Sequence, residues 1–242
     1  MTLTAGRTVR DYAIGTPQTI PVFEKLGIDY CCGGNRPLDE ACTVANLKIE
    51  EVLRSLESAI AEPSRPSAQE LQSGPLAELI SHIVRTHHVF VRSQISEIGR
   101  LLEKVYSKHG VNHPEIGEIR ETFAGLGGEL TTHLMKEENI LFPYIERMEE
   151  SALQGEPILP PRFGTVENPV RMMEHEHDDA GAALRKLRKA SGDYTPPADA
   201  CTSFRALYTA LTNFEKDLHQ HIHLENNVLF PRALAMENGA KG

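Results

Sequence analysis

HLMKEENILFP (residues 133–143) and HIHLENNVLFP (residues 221–231) are one line of sequence written twice, 88 residues apart. His, Glu, Asn, Leu, Phe and Pro recur at six of the eleven aligned positions. In each copy a histidine and a glutamate stand four residues apart, His133 with Glu137 and His221 with Glu225. On a helix that spacing projects both side chains from one face, about one turn apart. A solitary pair of this kind is ordinarily a solvated surface contact, but a pair repeated together with its apolar context calls for another explanation.

The context of the repeat is helical. Beyond residue 74 apolar residues recur with helical period and β-branched alternation never persists, so the fold class is all-α. Four long helices are expected, from about Pro75 to His109, Pro114 to Glu149, Glu167 to Ala190 and Pro197 to Met236, and four such helices make an up-down bundle. In the first, Val84, His88, Val91, Ile95, Ile98, Leu102, Val105 and His109 follow one another at alternating steps of four and three, which marks a buried seam and puts His88 in the core.

His88, His133, His177 and His221 fall at intervals of 45, 44 and 44 residues. His88 with His133 and Glu137 therefore forms one helix pair, and His177 with His221 and Glu225 forms its copy. Arranged two-fold in a bundle, the pairs surround one interior point with four imidazoles and two carboxylates, a donor set suited to a dinuclear metal centre. If both carboxylates bridge and an oxide or hydroxide bridges as well, each metal has five bonds and an octahedral ion keeps one position open. Structural zinc takes four ligands, usually with some thiolate, and the imidazole share disfavours manganese. The expected cofactor is thus two non-haem iron ions (Fe2+/Fe3+) with a bridging oxo or hydroxo group.

The other histidines are expected elsewhere. His109 lies 21 residues beyond His88, roughly 31 Å along an unbroken helix, and reads as a helix-terminal residue. His82, His87, His113, His175, His219 and His223 should point away from the centre, and the choice of His88 over His87 rests on the seam register alone. Glu129, four before His133, and Glu176, beside His177, are candidates to orient a ligand imidazole or relay protons.

Composition bounds the rest. The 242-residue chain has 34 acids against 25 bases, a formal net charge of −9, and no basic cluster with interleaved aromatics, so a nucleic-acid partner is not expected. The N-terminus has no apolar targeting core and eighteen apolar residues never run together, so neither export nor membrane spanning is encoded and a cytoplasmic location is expected. Pro, Ser and Gly concentrate at 62–74, which reads as a linker between a small helical domain (1–61) and the bundle (75–236), with a frayed tail at 237–242.

In the small domain Pro17 sits just inside a short helix that Gly27 ends, and a second helix runs from about Val44 to Ala61. Between them stand Cys31 and Cys32, ahead of a further helix beginning near Pro37, Asp39 and Glu40, whose positive end would stabilise a thiolate. Cys31, Cys32, Cys42 and Cys201 make neither a disulfide framework nor a Cys-x-x-Cys zinc pattern, and Cys201 reads as a buried thiol.

Together, Asp29–Gly34 (DYCCGG), Ala77–Glu78, Glu129–Pro143, Glu176–Asp178 and Leu224–Ala233 resemble the repair-of-iron-centres family, the YtfE, ScdA and DnrN type. The resemblance covers nearly the whole chain. It implies a hemerythrin-like bundle behind a short cysteine-bearing domain, and a di-iron centre on His88, His133, Glu137, His177, His221 and Glu225. It further implies restoration of iron–sulfur clusters damaged by nitric oxide or peroxide, by supplying iron or handling nitric oxide. Cys31 and Cys32 are candidates to assist that transfer. Damaged iron–sulfur proteins would be the clients, and nitric oxide or dioxygen the small ligands. Nitric oxide or nitrite reduction, and a homodimer through the N-terminal part, are compatible with the same residues. The rival is a hemerythrin-like carrier or sensor of dioxygen or nitric oxide, against which the cysteine domain argues. A ferritin-like oxidase would need Glu-x-x-His on each of two helices, where this chain has His-x-x-x-Glu.

Overall fold

The computed structural model describes residues 4–60 and 73–239; most of the expected linker, and residues 240–242 of the expected tail, lie outside them. Among the described residues every regular element is helical, and the only β feature is an isolated bridge between Thr8 and Pro37. Among the described residues two compact units are formed, one by residues 4–60, 73–80 and 219–239 and one by residues 81–218. Both divisions fall inside helices rather than at the linker.

In the first unit α1 (Val9–Gly15) starts where the Thr8 hydroxyl accepts the Asp11 N–H at 3.1 Å, a helix the sequence reading did not anticipate. A 3₁₀ turn at Pro17–Thr19 leads into α2 (Ile20–Leu26), which ends as expected at Gly27, in the left-handed region with φ 66°. Then come α3 (Leu38–Val44) and α4 (Ile49–Ile60). The second helix of the sequence reading is therefore shorter at its start than expected, because Asn46, at φ 55°, turns the chain after α3. Val9, Tyr12, Phe23, Ile28, Tyr30, Leu38, Val52 and Leu56 form the core of these helices. Each such large apolar side chain contributes about 1.5–3 kcal/mol by leaving water.

The long helices are interrupted in a way the apolar pattern does not reveal. α5 (Leu76–Ile83) passes through a π turn, Val84–His88, into α6 (Val89–His109). α7 (Glu115–Lys136) passes through Glu137–Leu141 into α8 (Phe142–Gln154), and α9 (Glu167–Ala190) is continuous. α10 (Thr202–Leu224) passes through Glu225–Leu229 into α11 (Phe230–Gly239). In the second unit α7 packs between α6 and α9. Phe123 of α7 meets Phe214 of α10 edge-on, with ring centroids 5.3 Å apart.

The fourth long helix starts at Thr202 rather than near Pro197, since Pro197–Ala200 closes a turn that presents Asp199 to His113, 3.1 Å from its Nε2. The second runs on to Gln154, and the fourth to Gly239, so residues 237–239 of the expected tail are helical and Glu237 is buried. Upstream of His88 the buried face is Leu76, Leu79, Ile80 and Ile83, with Val84 only half-buried, because the π turn shifts the register by one residue.

Candidate metal centre

Every π turn holds one of the repeated donors at an end: His88 closes the first, Glu137 opens the second and Glu225 opens the third. The wide turns are closed by i→i−5 bonds, from Phe142 N–H to the Glu137 carbonyl and from Phe230 N–H to the Glu225 carbonyl. Pro143 and Pro231, the last letters of the repeat, follow at once. Lacking an N–H, each leaves the carbonyl four residues back without its helical partner. At Asn227 that carbonyl accepts Arg10 Nη2 at 3.1 Å. The repeated line thus encodes a widened turn that begins at a glutamate and ends at a proline, and π insertions of this kind concentrate at functional sites.

All six repeat-derived donors are fully buried. In the second unit His88 Nε2 lies 3.4 Å from Glu137 Oε2, and His133 Nε2 lies 3.3 Å from Glu137 Oε1. His133 Nε2 and His177 Nε2 are 3.1 Å apart. In the first unit His221 Nε2 lies 2.9 Å from Glu225 Oε1.

The far nitrogens of two of these rings are already committed. His88 Nδ1 donates to Glu138 at 2.6 Å, and Glu138 also takes Arg92 Nη2 at 2.9 Å. His133 Nδ1 donates to Glu176 at 2.8 Å, and Lys136 binds the other oxygen of Glu176. With the proton fixed on Nδ1, each Nε2 presents a lone pair to the interior. Burial opposes ionisation of both acids. Hydrogen bonds from His88 and Arg92 to Glu138, and from Lys136 and His133 to Glu176, outweigh it and hold both carboxyls below the ordinary glutamate range.

Neither carboxylate oxygen of Glu137 makes a hydrogen bond, although the residue is sealed from water. A bare buried carboxylate costs several kcal/mol, whereas a cation in its place is favourable. Lone-pair imidazoles converging on such a carboxylate fit a divalent metal of the imidazole and carboxylate class, iron among them.

Of the other sequence candidates, Glu176 orients His133, a ring on another helix rather than its neighbour His177. Glu129 is exposed and stands on the wall of a cavity of about 410 Å³ that also touches His133, Lys136 and Glu176. Glu138 and Arg92 were missed. Their signal is weak, an acid next to a ligand glutamate and a base one turn past His88.

Two of the histidines expected to point away from the centre are buried. His87 Nδ1 meets Asp217 Oδ1 at 3.0 Å, because the π turn faces two consecutive residues inward. His223 is enclosed beside the Tyr30 ring, 5.4 Å between centroids, and burial pushes its pKa down to about 4. His109, half-buried, meets Cys201 Sγ at 3.2 Å from Nε2, and Cys201 is exposed rather than buried.

The Cys31–Cys32 turn also departs from expectation. The helix α3 begins at Leu38, and Cys31 Sγ contacts Asp29 Oδ1 at 3.4 Å instead of a helix end. Its neighbour Cys32, burial and Asp29 push the Cys31 thiol well above its ordinary range, the opposite of a stabilised thiolate. Within the first unit this turn rests on the third π turn, where Asn227 Nδ2 donates to the carbonyls of Tyr30 (3.1 Å) and Cys31 (3.3 Å).

Comparison with known proteins adds to this geometry. Residues 79–233 match the family described as hemerythrin HHE cation binding domain, and residues 5–60 match a domain of unknown function, DUF542, named ScdA_N. The chain is 39% identical over 236 residues to the iron-sulfur cluster repair protein YtfE of Dickeya chrysanthemi, covering 96% of this chain and 98% of that protein. It is 38% identical to the YtfE of Yersinia pseudotuberculosis, over 93% and 95% of the two chains. It is 36% identical to a probable iron-sulfur cluster repair protein of Haemophilus influenzae, over 95% and 97%.

Proposed function

This chain belongs to the hemerythrin-like family of YtfE-type iron–sulfur cluster repair proteins, and from that premise we propose that it restores damaged iron–sulfur clusters with a di-iron centre held by His88, His133, Glu137, His177, His221 and Glu225. One observation carries the ligand assignment. In the second unit the Nε2 atoms of His88 and His133 face opposite oxygens of one buried carboxylate, Glu137, which makes no hydrogen bond. In the first unit His221 faces Glu225 over the same four-residue spacing. A carboxylate has two oxygens, so Glu137 and Glu225 would be able to serve two ions, with the four histidines supplying the remaining donors.

Held there, two ferrous ions would supply exchangeable iron and a position for a neutral diatomic such as nitric oxide. The chain's own residues do the rest. Glu138 and Glu176 aim His88 and His133 and hold their protons at Nδ1, Arg92 and Lys136 offset the charge of those acids, and complete burial of the donors excludes bulk water. Damaged iron–sulfur proteins are the clients. No helix among the described residues is long and apolar enough to cross a membrane.

The test adds the iron-loaded protein to a nitrosylated iron–sulfur enzyme and follows recovery of its activity. Wild type should restore activity and His133→Ala should not. Equal recovery with both would refute the proposal.

A further inference from the structure

We propose that Cys31 and Cys32 form a second metal site, a two-thiolate chelate for one thiophilic divalent ion such as ferrous iron or zinc. The assignment is independent of the histidine–glutamate centre.

Its basis is the separation of the sulfurs. Cys31 Sγ and Cys32 Sγ stand 3.9 Å apart. A tetrahedral ion with metal–sulfur bonds of about 2.3 Å requires a sulfur–sulfur distance of roughly 3.8 Å. A disulfide requires about 2.05 Å. The pair is therefore set at chelating distance, and forming the bridge would demand that the turn deform.

The turn is built to resist that deformation. Asp29 Oδ1 accepts the N–H groups of Cys31 and Cys32, each at 3.1 Å, which turns the two residues about one carboxylate. The Tyr30 and Cys31 carbonyls are pinned by Asn227, and the Gly34 carbonyl accepts Arg10 N–H at 2.7 Å. A Cβ on Gly34 would lie 2.6 Å from the Tyr30 carbonyl oxygen, so only glycine closes the turn this tightly. Little side-chain or backbone freedom remains to be lost when an ion enters.

Charge points to a cation. Two adjacent thiolates beside the Asp29 carboxylate repel one another, and a divalent ion bound between them offsets that charge. Binding replaces two S–H bonds by two metal–sulfur bonds and releases two protons, with no change of oxidation state. Thiolates select iron, zinc or copper over magnesium and calcium. Cys31 is buried and Cys32 partly exposed, so one side of the ion stays open to exchange with an incoming ligand.

The test uses the full-length protein with its iron already loaded, kept anaerobic, and titrates cobalt(II) as the probe. One equivalent should produce a thiolate-to-metal absorption band and protect two thiols from a disulfide reagent. Cys32→Ser should lose the band and weaken binding roughly tenfold or more, and Cys31→Ser should do the same. Cys42→Ser and Cys201→Ser should leave both unchanged. Should Cys31→Ser misfold, the partly exposed Cys32 decides alone. Absence of a thiolate band at one equivalent, or a band that survives Cys32→Ser, would overturn the proposal. Because histidines and carboxylates give no such band, failure here would leave the di-iron proposal standing.

Discussion

The two asparagines of the repeated line, Asn139 and Asn227, occupy the same position in the same motif and are predicted to differ sharply in what they contribute. Asn227 is buried, and its Nδ2 lies 3.0–3.3 Å from three acceptors, the carbonyls of Tyr30 and Cys31 and the Nδ1 of His223. Asn139 is exposed and donates only to Met135 O, in its own helix, at 2.7 Å. Asn227→Ala strands buried acceptors, and each costs about 1–3 kcal/mol when no water replaces the donor. With two N–H groups serving three acceptors, the loss should total about 2–4 kcal/mol. Asn139→Ala exchanges a solvated hydrogen bond for one to water and should stay within about 0.5 kcal/mol. Urea denaturation of wild type and both variants measures this, read from the midpoint at constant slope. Equal destabilisation of the two variants would refute the reasoning, since it would mean that burial and the Cys31 turn contribute nothing.

Glu138→Gln and Glu176→Gln keep the size of the side chain and remove the charge that fixes His88 and His133, so each should weaken metal retention about 10–100-fold, measured as iron loss to a chelator. Gly34→Ala should destabilise the first unit by more than about 2 kcal/mol, through a Cβ forced against the Tyr30 carbonyl; thermal melting checks it. His113 is held above its ordinary pKa by hydrogen bonds to Asp199 and then Glu115. A group raised on folding stabilises fully below its unfolded pKa of about 6.5 and loses that contribution as pH rises through the folded value. Denaturation midpoints compared between about pH 6 and about pH 8 should therefore fall more in wild type than in His113→Gln.

The fold and the burial of the six repeat-derived residues were legible because both rest on local periodicity. A four-residue step on a helix fixes a face, and a four-three seam fixes the inner side, whatever the rest of the chain does. The π turns were not legible from the apolar pattern, since inserting one residue leaves the flanking stripes helical. Pro143 and Pro231, inside what otherwise read as continuous helices, were the available signs. Glu176 could be singled out by its neighbour, yet its partner His133 is on another helix, and sequence spacing carries no information about that contact. The enclosure of His223 was hidden for the same reason, because Tyr30, which covers it, is nearly two hundred residues away. The misreading at Cys31 came from weighing a helix end against no competitor, when Asp29, two residues before it, turns its carboxylate onto the same sulfur.

Iron content per chain, measured on protein purified without oxygen, bears most directly on the di-iron assignment. Two iron ions per chain, falling to fewer than one in His133→Ala, is the predicted result. One iron or none in the folded wild-type protein would contradict it.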